Sequence, residues 1–275
     1  MNIKIVSDSS SNILALQDVA YATVPLKIIT AEREYVDDAA LDVTGMVQDL
    51  KTVKGRTQTS CPNSFEWEEA FADADAVLAV TITSGLSGSY ATAMQAKAGH
   101  PEKKIVVVDS LSTGPEMALL IERMRDGILA EHSVEEIEAD VRNYAKHTHL
   151  LFALKSMKNL ARNGRVKPLV AKLAGVLDIR IVGVASEQGT LELLHKTRGR
   201  KKMLDTIYAE MKERGYAGGK VRISHCLNEE AAALLEQNIR ADHPNADITV
   251  VPTTALCSYY AEEGGLLVGF ESREQ

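Results

Sequence analysis

VLAVTITSGLSGSY, residues Val77–Tyr90, is the stretch that decides the fold. Val77–Ile82 is an apolar run with the length of a buried strand. The run ends at Thr83, and Ser84, Gly85, Leu86, Ser87, Gly88 and Ser89 follow as a loop rich in hydroxyls and glycine. Tyr90–Ala98 is Ala-rich and has a helical pattern. A helix start carries N–H groups without partners and a partial positive charge, so this arrangement suits an anion. No Lys follows the loop, which excludes a Walker A phosphate loop. The spacing GLSGS fails G-x-S-x-G, because its fifth position is Ser89. The loop reads as a holder of a small anion.

Outward from that stretch, apolar strands recur at Ile3–Val6, Thr23–Ile29, Ala76–Ile82 and Lys104–Val108. Helical patterns at Asp42–Thr52, Ser64–Asp73, Tyr90–Ala98 and Pro115–Ala130 alternate with them. Ser133 and Glu136 form a capping box for a helix reaching about Lys146. Alternating strands and helices predict a parallel sheet covered on both faces. After residue 150 the pattern changes. Leu150–Leu154 is a short strand, and Ser156–Arg162 and Pro168–Ala174 are short helices around the turn Asn163-Gly164. Val176–Ala185 and Thr190–Lys196 read as paired strands joined at Glu187–Gly189. Helices Arg200–Arg214 and Glu229–Arg240 alternate with strands Lys220–His225, Asp247–Val251 and Leu266–Phe270. The fold class is α/β. A parallel-sheet lobe over 1–150 carries the hydroxyl-rich loops, a mixed-sheet lobe over 151–275 closes the cleft, and the ligand lies between and within them.

The totals narrow the function. The chain has 275 residues, 45% hydrophobic and 25% charged, as in an ordinary globular protein. A net charge of −7 without a Lys/Arg block argues against nucleic acid. No apolar stretch is long enough for a membrane span. MNIKIVSDSS reads as strand and loop, not as a signal peptide. Three scattered cysteines, Cys61, Cys226 and Cys257, suit reduced thiols in a cytoplasm.

Ligands of open parallel sheets bind at the carboxyl ends of strands. Here those ends carry Ser7–Ser11, Thr83–Ser89 and Asp109–Ser112, and Thr59-Ser60-Cys61-Pro62-Asn63-Ser64 leads into another helix. Three serines and two glycines within Ser84–Ser89 exceed what one helix cap needs, and Thr59 and Ser60 are candidates beside them. Asp8 and Asp109 read as caps or loop braces, and Ser64 as a helix cap. The seven histidines show no metal spacing and read as surface or structural groups. His225 and Cys226 are neighbours on one strand, so they point to opposite faces. Cys61 reads as a buried, inert thiol, and Asp37-Asp38 and Glu262-Glu263 as solvated charge. Arg165, after a glycine turn, either reaches across a cleft to an anion or makes a surface contact.

In combination these motifs resemble the DegV family of bacterial fatty-acid-binding proteins. The opening strand with SDSS, Thr59–Asn63 (T-S-x-P-S), Thr83–Tyr90 (S-S-x-L-S-G-T-Y), Val107–Ser110 (V-D-S), Leu160–Val166 (L-x-x-G-G-R-I) and Lys196–Arg198 (K-x-R) follow the family's order along nearly the whole chain. The resemblance implies two lobes around one long-chain fatty acid. Its carboxylate would meet Thr59 and Ser84, with Ser60, Gly85 and Ser87 close by, and its tail would occupy an apolar slot running into the N-terminal lobe. It also implies a lipid-presenting subunit of a fatty acid kinase, without catalytic residues, cofactor or metal. A separate ATP-dependent protein would phosphorylate the acid, with Arg165 helping its reaction. Many members carry H-T-G-P-G near the C-terminus. Here Leu256–Gly265 has no His, and Ser258 and Tyr260 are the hydroxyls available in its place. Asn63 replaces a Ser of the family pattern. Two other classes would use the same loop: a serine hydrolase at Ser84 or Ser87, which needs a general base, and a nucleotide or sugar-phosphate binder on Ser84–Ser89, which needs a polar cleft.

Overall fold

The computed structural model describes residues 2–167 and 178–273. In chain order its strands are β1 (Ile3–Asp8), β2 (Ala20–Val24), β3 (Lys27–Ile29), β4 (Glu34–Val36), β5 (Gln58–Ser60), β6 (Ala76–Thr81) and β7 (Lys104–Asp109), then β8 (Thr148–Leu154), β9 (Ile179–Ala185), β10 (Leu191–Arg198), β11 (Val221–His225), β12 (Ile248–Pro252) and β13 (Leu266–Glu271). The helices are α1 (Val43–Thr52), α2 (Ser64–Phe71), α3 (Ser89–Ala98), α4 (Pro115–Leu129), α5 (Val134–Tyr144), α6 (Lys158–Arg162), α7 (Arg200–Glu213), α8 (Glu229–Asp242) and α9 (Ala255–Ala261).

The first sheet is parallel, in the order β2-β1-β6-β7. Its strand β6 is buried at every position, which is why its sequence is a continuous apolar run. Alternate side chains serve opposite faces. Leu78 and Val80 pack with Met117, Leu120, Ile121, Ile137 and Val141 from α4 and α5. Val77 and Ala79 pack with Trp67, Phe71, Ala93 and Ala96 from α2 and α3. The second sheet is mixed, in the order β10-β9-β8-β13-β11-β12, with only β11 and β12 running parallel. The architecture is therefore the expected parallel lobe plus mixed lobe. Helix α4 joins the two. A Cβ on Gly269 of β13 would lie 2.6 Å from the Glu116 nitrogen, so only glycine lets α4 sit so close. Farther along, Arg222 of β11 donates to both Glu122 oxygens at 2.6 Å.

Several expectations change. Thr23–Ile29 is not one strand. Pro25 has no N–H for the ladder, so the chain leaves the first sheet after Val24 and joins a small antiparallel sheet, β4-β3-β5. The cap of α2 is Asn63, not Ser64: its side chain accepts from the Glu66 N–H, and Glu66 answers at the Asn63 N–H. Asp37 is not solvated. It is fully buried, and its carboxylate accepts from the N–H groups of Ala255 (2.7 Å) and Leu256 (3.0 Å), so it caps α9. Glu262 accepts from Ser156 Oγ at 2.9 Å, and Glu263 pairs with Lys51, so these too have partners. Strand β11 ends at His225, so His225 and Cys226 do not alternate across it and instead line one pocket. The helix expected over Pro168–Ala174 and the first residues of the strand expected from Val176 lie outside the described residues.

Candidate functional site

Loop 83–88 is shaped by two carboxylates, one buried and one half-buried. Asp8, fully buried, accepts from the Ile82 N–H at 2.8 Å, from Ser89 Oγ at 2.7 Å and from Ser10. Burial pushes its pKa up against these hydrogen bonds. Asp109 accepts from the N–H groups of Ser84 and Leu111, both at 3.1 Å. Both aspartates are the braces that the sequence suggested. The N–H groups of Leu86 and Ser87 then donate to the Thr83 carbonyl, each at 3.2 Å. This turn divides the loop into two sides. Ser84 is exposed, and Gly85 abuts the β9–β10 hairpin tip, where an added Cβ would lie 2.8 Å from the Gly189 carbonyl oxygen. Leu86, Ser87 and Gly88 face inward. Gly88 opens α3, and the Ser87 hydroxyl accepts from the Ser89 N–H at 3.3 Å at that helix end.

They face a cavity of about 510 Å³ between the two sheets. Its polar groups come from several segments, Gln58 and Thr113 among them. Thr59, Ser60 and Cys61 come from β5 and the residue after it, Ser87 from the loop, and Arg165 and Tyr260 from the second lobe. Thr59 Oγ1 and the Tyr260 hydroxyl are 2.7 Å apart. Burial raises the Tyr260 pKa, while the Thr59 bond and the Arg165 charge pull it down, so the phenol stays protonated and can donate. Arg165 donates from Nε to the Leu86 carbonyl (3.1 Å) and from Nη1 to the Asn163 carbonyl (2.6 Å). Among the described residues it has no carboxylate partner, so its charge is held by neutral dipoles beside the cavity. The remaining lining is mostly apolar: Leu26, Ile29 and Ile82, then Leu150, Phe152 and Leu154 from one face of β8, with Leu160, Leu191, Leu256 and Leu267. Cys257 also lines it as a neutral thiol, its pKa pushed up to about 12 by burial.

A family model described as "Uncharacterised protein, DegV family" matches residues 2–273. A DegV domain-containing protein of Streptococcus pneumoniae serotype 4 is 42% identical over 98% of this chain and 99% of its own. The chain belongs to the DegV family. Two solved DegV-type structures superpose closely. The Fatty Acid Kinase (Fak) B3 protein of Streptococcus pneumoniae, loaded with linoleic acid, has a TM-score of 0.97 and 41% identity over 99% of this chain and 100% of its own. A DegV family protein from Eubacterium eligens, loaded with heptadecanoic acid, has a TM-score of 0.96 and 41% identity over 98% of this chain and 100% of its own.

Seen as a DegV site, the cavity takes Thr59, Ser60, Ser87, Arg165 and Tyr260 from the sequence-derived candidates and leaves out Ser84, Gly85 and Ser258. Ser84 and Gly85 sit on the outer side of the Thr83–Ser87 turn. Ser258 lies two residues from Tyr260 on α9, which is about 200° around a helix, and its hydroxyl is spent on Thr253 Oγ1 at 2.7 Å. Of the two hydroxyls offered in place of the family's His, Tyr260 is the one that lines the cavity. Cys61 is half-buried in the cavity wall and not sealed in the core. The apolar slot was expected to run into the N-terminal lobe, yet most of its apolar lining comes from Leu150 onward, with Leu150, Phe152 and Leu154 of β8 among it. Sequence reading missed Gly88 and the β8 face. Leu150, Phe152 and Leu154 do recur at period two, which was the signal available.

Proposed function

We propose that this protein holds one long-chain fatty acid, with the carboxylate among Thr59, Ser60, Ser87 and Tyr260 and the tail along the leucine-rich wall. The observation that carries this reading is the composition of a single cavity: hydroxyls and a guanidinium with no carboxylate partner among the described residues, and leucines over most of the rest. Burying a dozen methylenes is favourable by about 10 kcal/mol before association costs. An acyl chain draws that energy from the apolar lining, while a nucleotide would have to strip water from its polar groups against leucine. The carboxylate is met by neutral donors, and Arg165 supplies charge nearby.

The same reading makes the protein a non-catalytic carrier that presents its acid to an ATP-dependent fatty acid kinase. Its likeness to the Fatty Acid Kinase B3 protein supports that partner class. Arg165, anchored to the loop at Leu86 and lining the cavity, is the residue proposed to help the partner's reaction. Three free cysteines support a reducing compartment such as the cytoplasm. Among the described residues no helix is long and apolar enough to cross a membrane. The hydrolase alternative gains nothing from the geometry: the described histidines with hydrogen-bond partners spend them elsewhere, as His195 does on Glu210 at 2.5 Å and His149 on Ser272 at 3.2 Å. Denaturing mass spectrometry of purified protein tests the proposal. A co-purified acid of fourteen to eighteen carbons is expected at near one-to-one ratio. A bound nucleotide, or an empty protein without affinity for added fatty acid, refutes it.

A further inference from the structure

We propose that Thr83 is a positioning residue for the head-group site: it hooks the loop that carries Ser87 to the hairpin of the second lobe. The inference rests on the acyl reading of the cavity and adds the contact that sets its polar end. Thr83 is 2% exposed and does not line the cavity. Its hydroxyl has two partners. It donates to the Gly189 carbonyl at the tip of the β9–β10 hairpin at 2.8 Å, and it accepts from the Gly85 N–H at 3.1 Å. The Thr83 carbonyl closes the turn by accepting from the N–H groups of Leu86 and Ser87. A chain of hydrogen bonds thus runs from the second lobe, through one residue, to the backbone of Ser87, which lines the cavity.

The hairpin tip is shaped for this contact. Gly189 has φ +71°, where glycine carries no steric cost, and a Cβ there would overlap Thr83 Oγ1 and lie 3.2 Å from Leu111 Cα. Gly85 meets the same tip from the loop side, where an added Cβ would lie 3.0 Å from the Gln188 carbonyl oxygen. Two glycines therefore let the backbones of the two lobes come close enough for one hydroxyl to bridge them. The tip is braced in turn: the Gly189 N–H donates to the Ser186 carbonyl at 2.8 Å, and Ser186 Oγ accepts from the Thr190 N–H at 3.1 Å. Arg165 holds the loop at Leu86, again from the second lobe. Removing the Thr83 hydroxyl strands the Gly189 carbonyl and the Gly85 N–H, so the turn shifts and Ser87 shifts with it. A merely structural bond would weaken every ligand alike. A positioning bond weakens only ligands that use the head-group donors.

The test compares the affinity of the intact protein for hexadecanoic acid and for hexadecan-1-ol, which has the same chain and no carboxylate, in wild type, Thr83→Val and Thr83→Ser. Thr83→Val keeps the shape of the side chain and removes its hydroxyl. It is expected to weaken the acid about tenfold and to leave the alcohol within about twofold. Thr83→Ser restores the hydroxyl and is expected to bring the acid back to within about threefold of wild type. If Thr83→Val does not fold, Gly189→Ala makes the same test from the hairpin side, with the same selective loss expected. A folded variant that keeps the wild-type ratio of acid to alcohol affinity, whether both are unchanged or both weaken, overturns this inference and leaves the acyl reading standing. A wild-type protein that binds neither ligand overturns both.

Discussion

On the first-lobe side of the cavity, nearly every polar group is held by another: Asp8 by Ile82 and Ser89, Ser84 by Asp109, Thr59 by Tyr260. On the second-lobe side the wall is one face of a sheet, and Leu150, Phe152 and Leu154 are held by packing. The difference has a physical consequence. Hydrogen bonds are directional and leave a stranded partner when broken, so the polar wall is precise and fragile. Apolar contacts scale with area and tolerate exchange at constant volume, so the tail wall is forgiving. A site of this kind fixes one end of a ligand and lets the other vary.

The sharpest way to break the comparison is at Asp8. Its carboxylate ties strand β1 to the start of the loop at Ile82 and to the first turn of α3 at Ser89. Asp8→Ala strands those buried donors and opens a hole in a fully buried region. The expected loss is about 3–5 kcal/mol, read as a drop in Tm of roughly 10 °C by calorimetry. A Tm within a degree or two of wild type would show that the polar wall is not held in this way.

Next in size is Asp37, which caps α9, the helix that carries Leu256 and Tyr260 to the cavity. Burial raises its pKa to about 6, with the Ala255 and Leu256 N–H groups pulling it down. The folded protein thus holds a proton that the unfolded chain has lost between about pH 4 and 6, so stability falls as pH rises through that window. Glu116, pushed up to about 7 by burial against its bond to Thr148, acts in the same direction up to about pH 7. Asp37→Asn leaves the Glu116 contribution intact and removes its own, so the variant's urea midpoints between pH 4.5 and 6.5 should fall less steeply than wild type's. The difference should amount to about 2 kcal/mol over the window. Parallel curves would mean that Asp37 does not titrate as its burial implies.

The same contrast explains what the sequence made legible. β6 and its loop were readable because a strand buried on both faces leaves a continuous apolar run, and its end is punctuated by glycine and serine. The pairing of β9 with β10 was readable from two strand patterns and a short polar join. Helix α9 was not: ALCSYYA is buried on nearly every side, so it has no amphipathic stripe to announce it. Asp37 was misread for a related reason. An acidic pair looks solvated unless the helix end that needs the charge is known, and that end is 218 positions away. The inward set of the loop, Ser87 and Gly88 but not Ser84 and Gly85, depends on a turn closed by backbone hydrogen bonds to Thr83, which residue identity does not encode.

Those two serines give the third prediction. Ser87→Ala removes a hydroxyl from the proposed head-group site and should weaken acyl binding by about 1.5–3 kcal/mol, or roughly 10- to 100-fold in Kd. Ser84→Ala should leave Kd within about twofold, because that side chain is exposed and only its backbone N–H is engaged. Titration with a fluorescent fatty acid measures both. A loss at Ser84 with none at Ser87 would reverse the assignment of the turn's two sides.

The smallest effect belongs on the opposite wall. Leu154 lies on the cavity face of β8 and is 3% exposed. Leu154→Met keeps the volume and the apolar character while exchanging a branched side chain for a flexible one, so stability should change by less than about 1.5 kcal/mol. Acyl affinity should stay within about threefold, since the area offered to the tail is nearly the same. This is the strictest check on the contrast between the walls, because a large loss could not be ascribed to lost area. It would require that the tail be held by shape at Leu154 as tightly as the head is held by hydrogen bonds, and the two walls would then follow one rule. The same titration that separates Ser87 from Ser84 decides it.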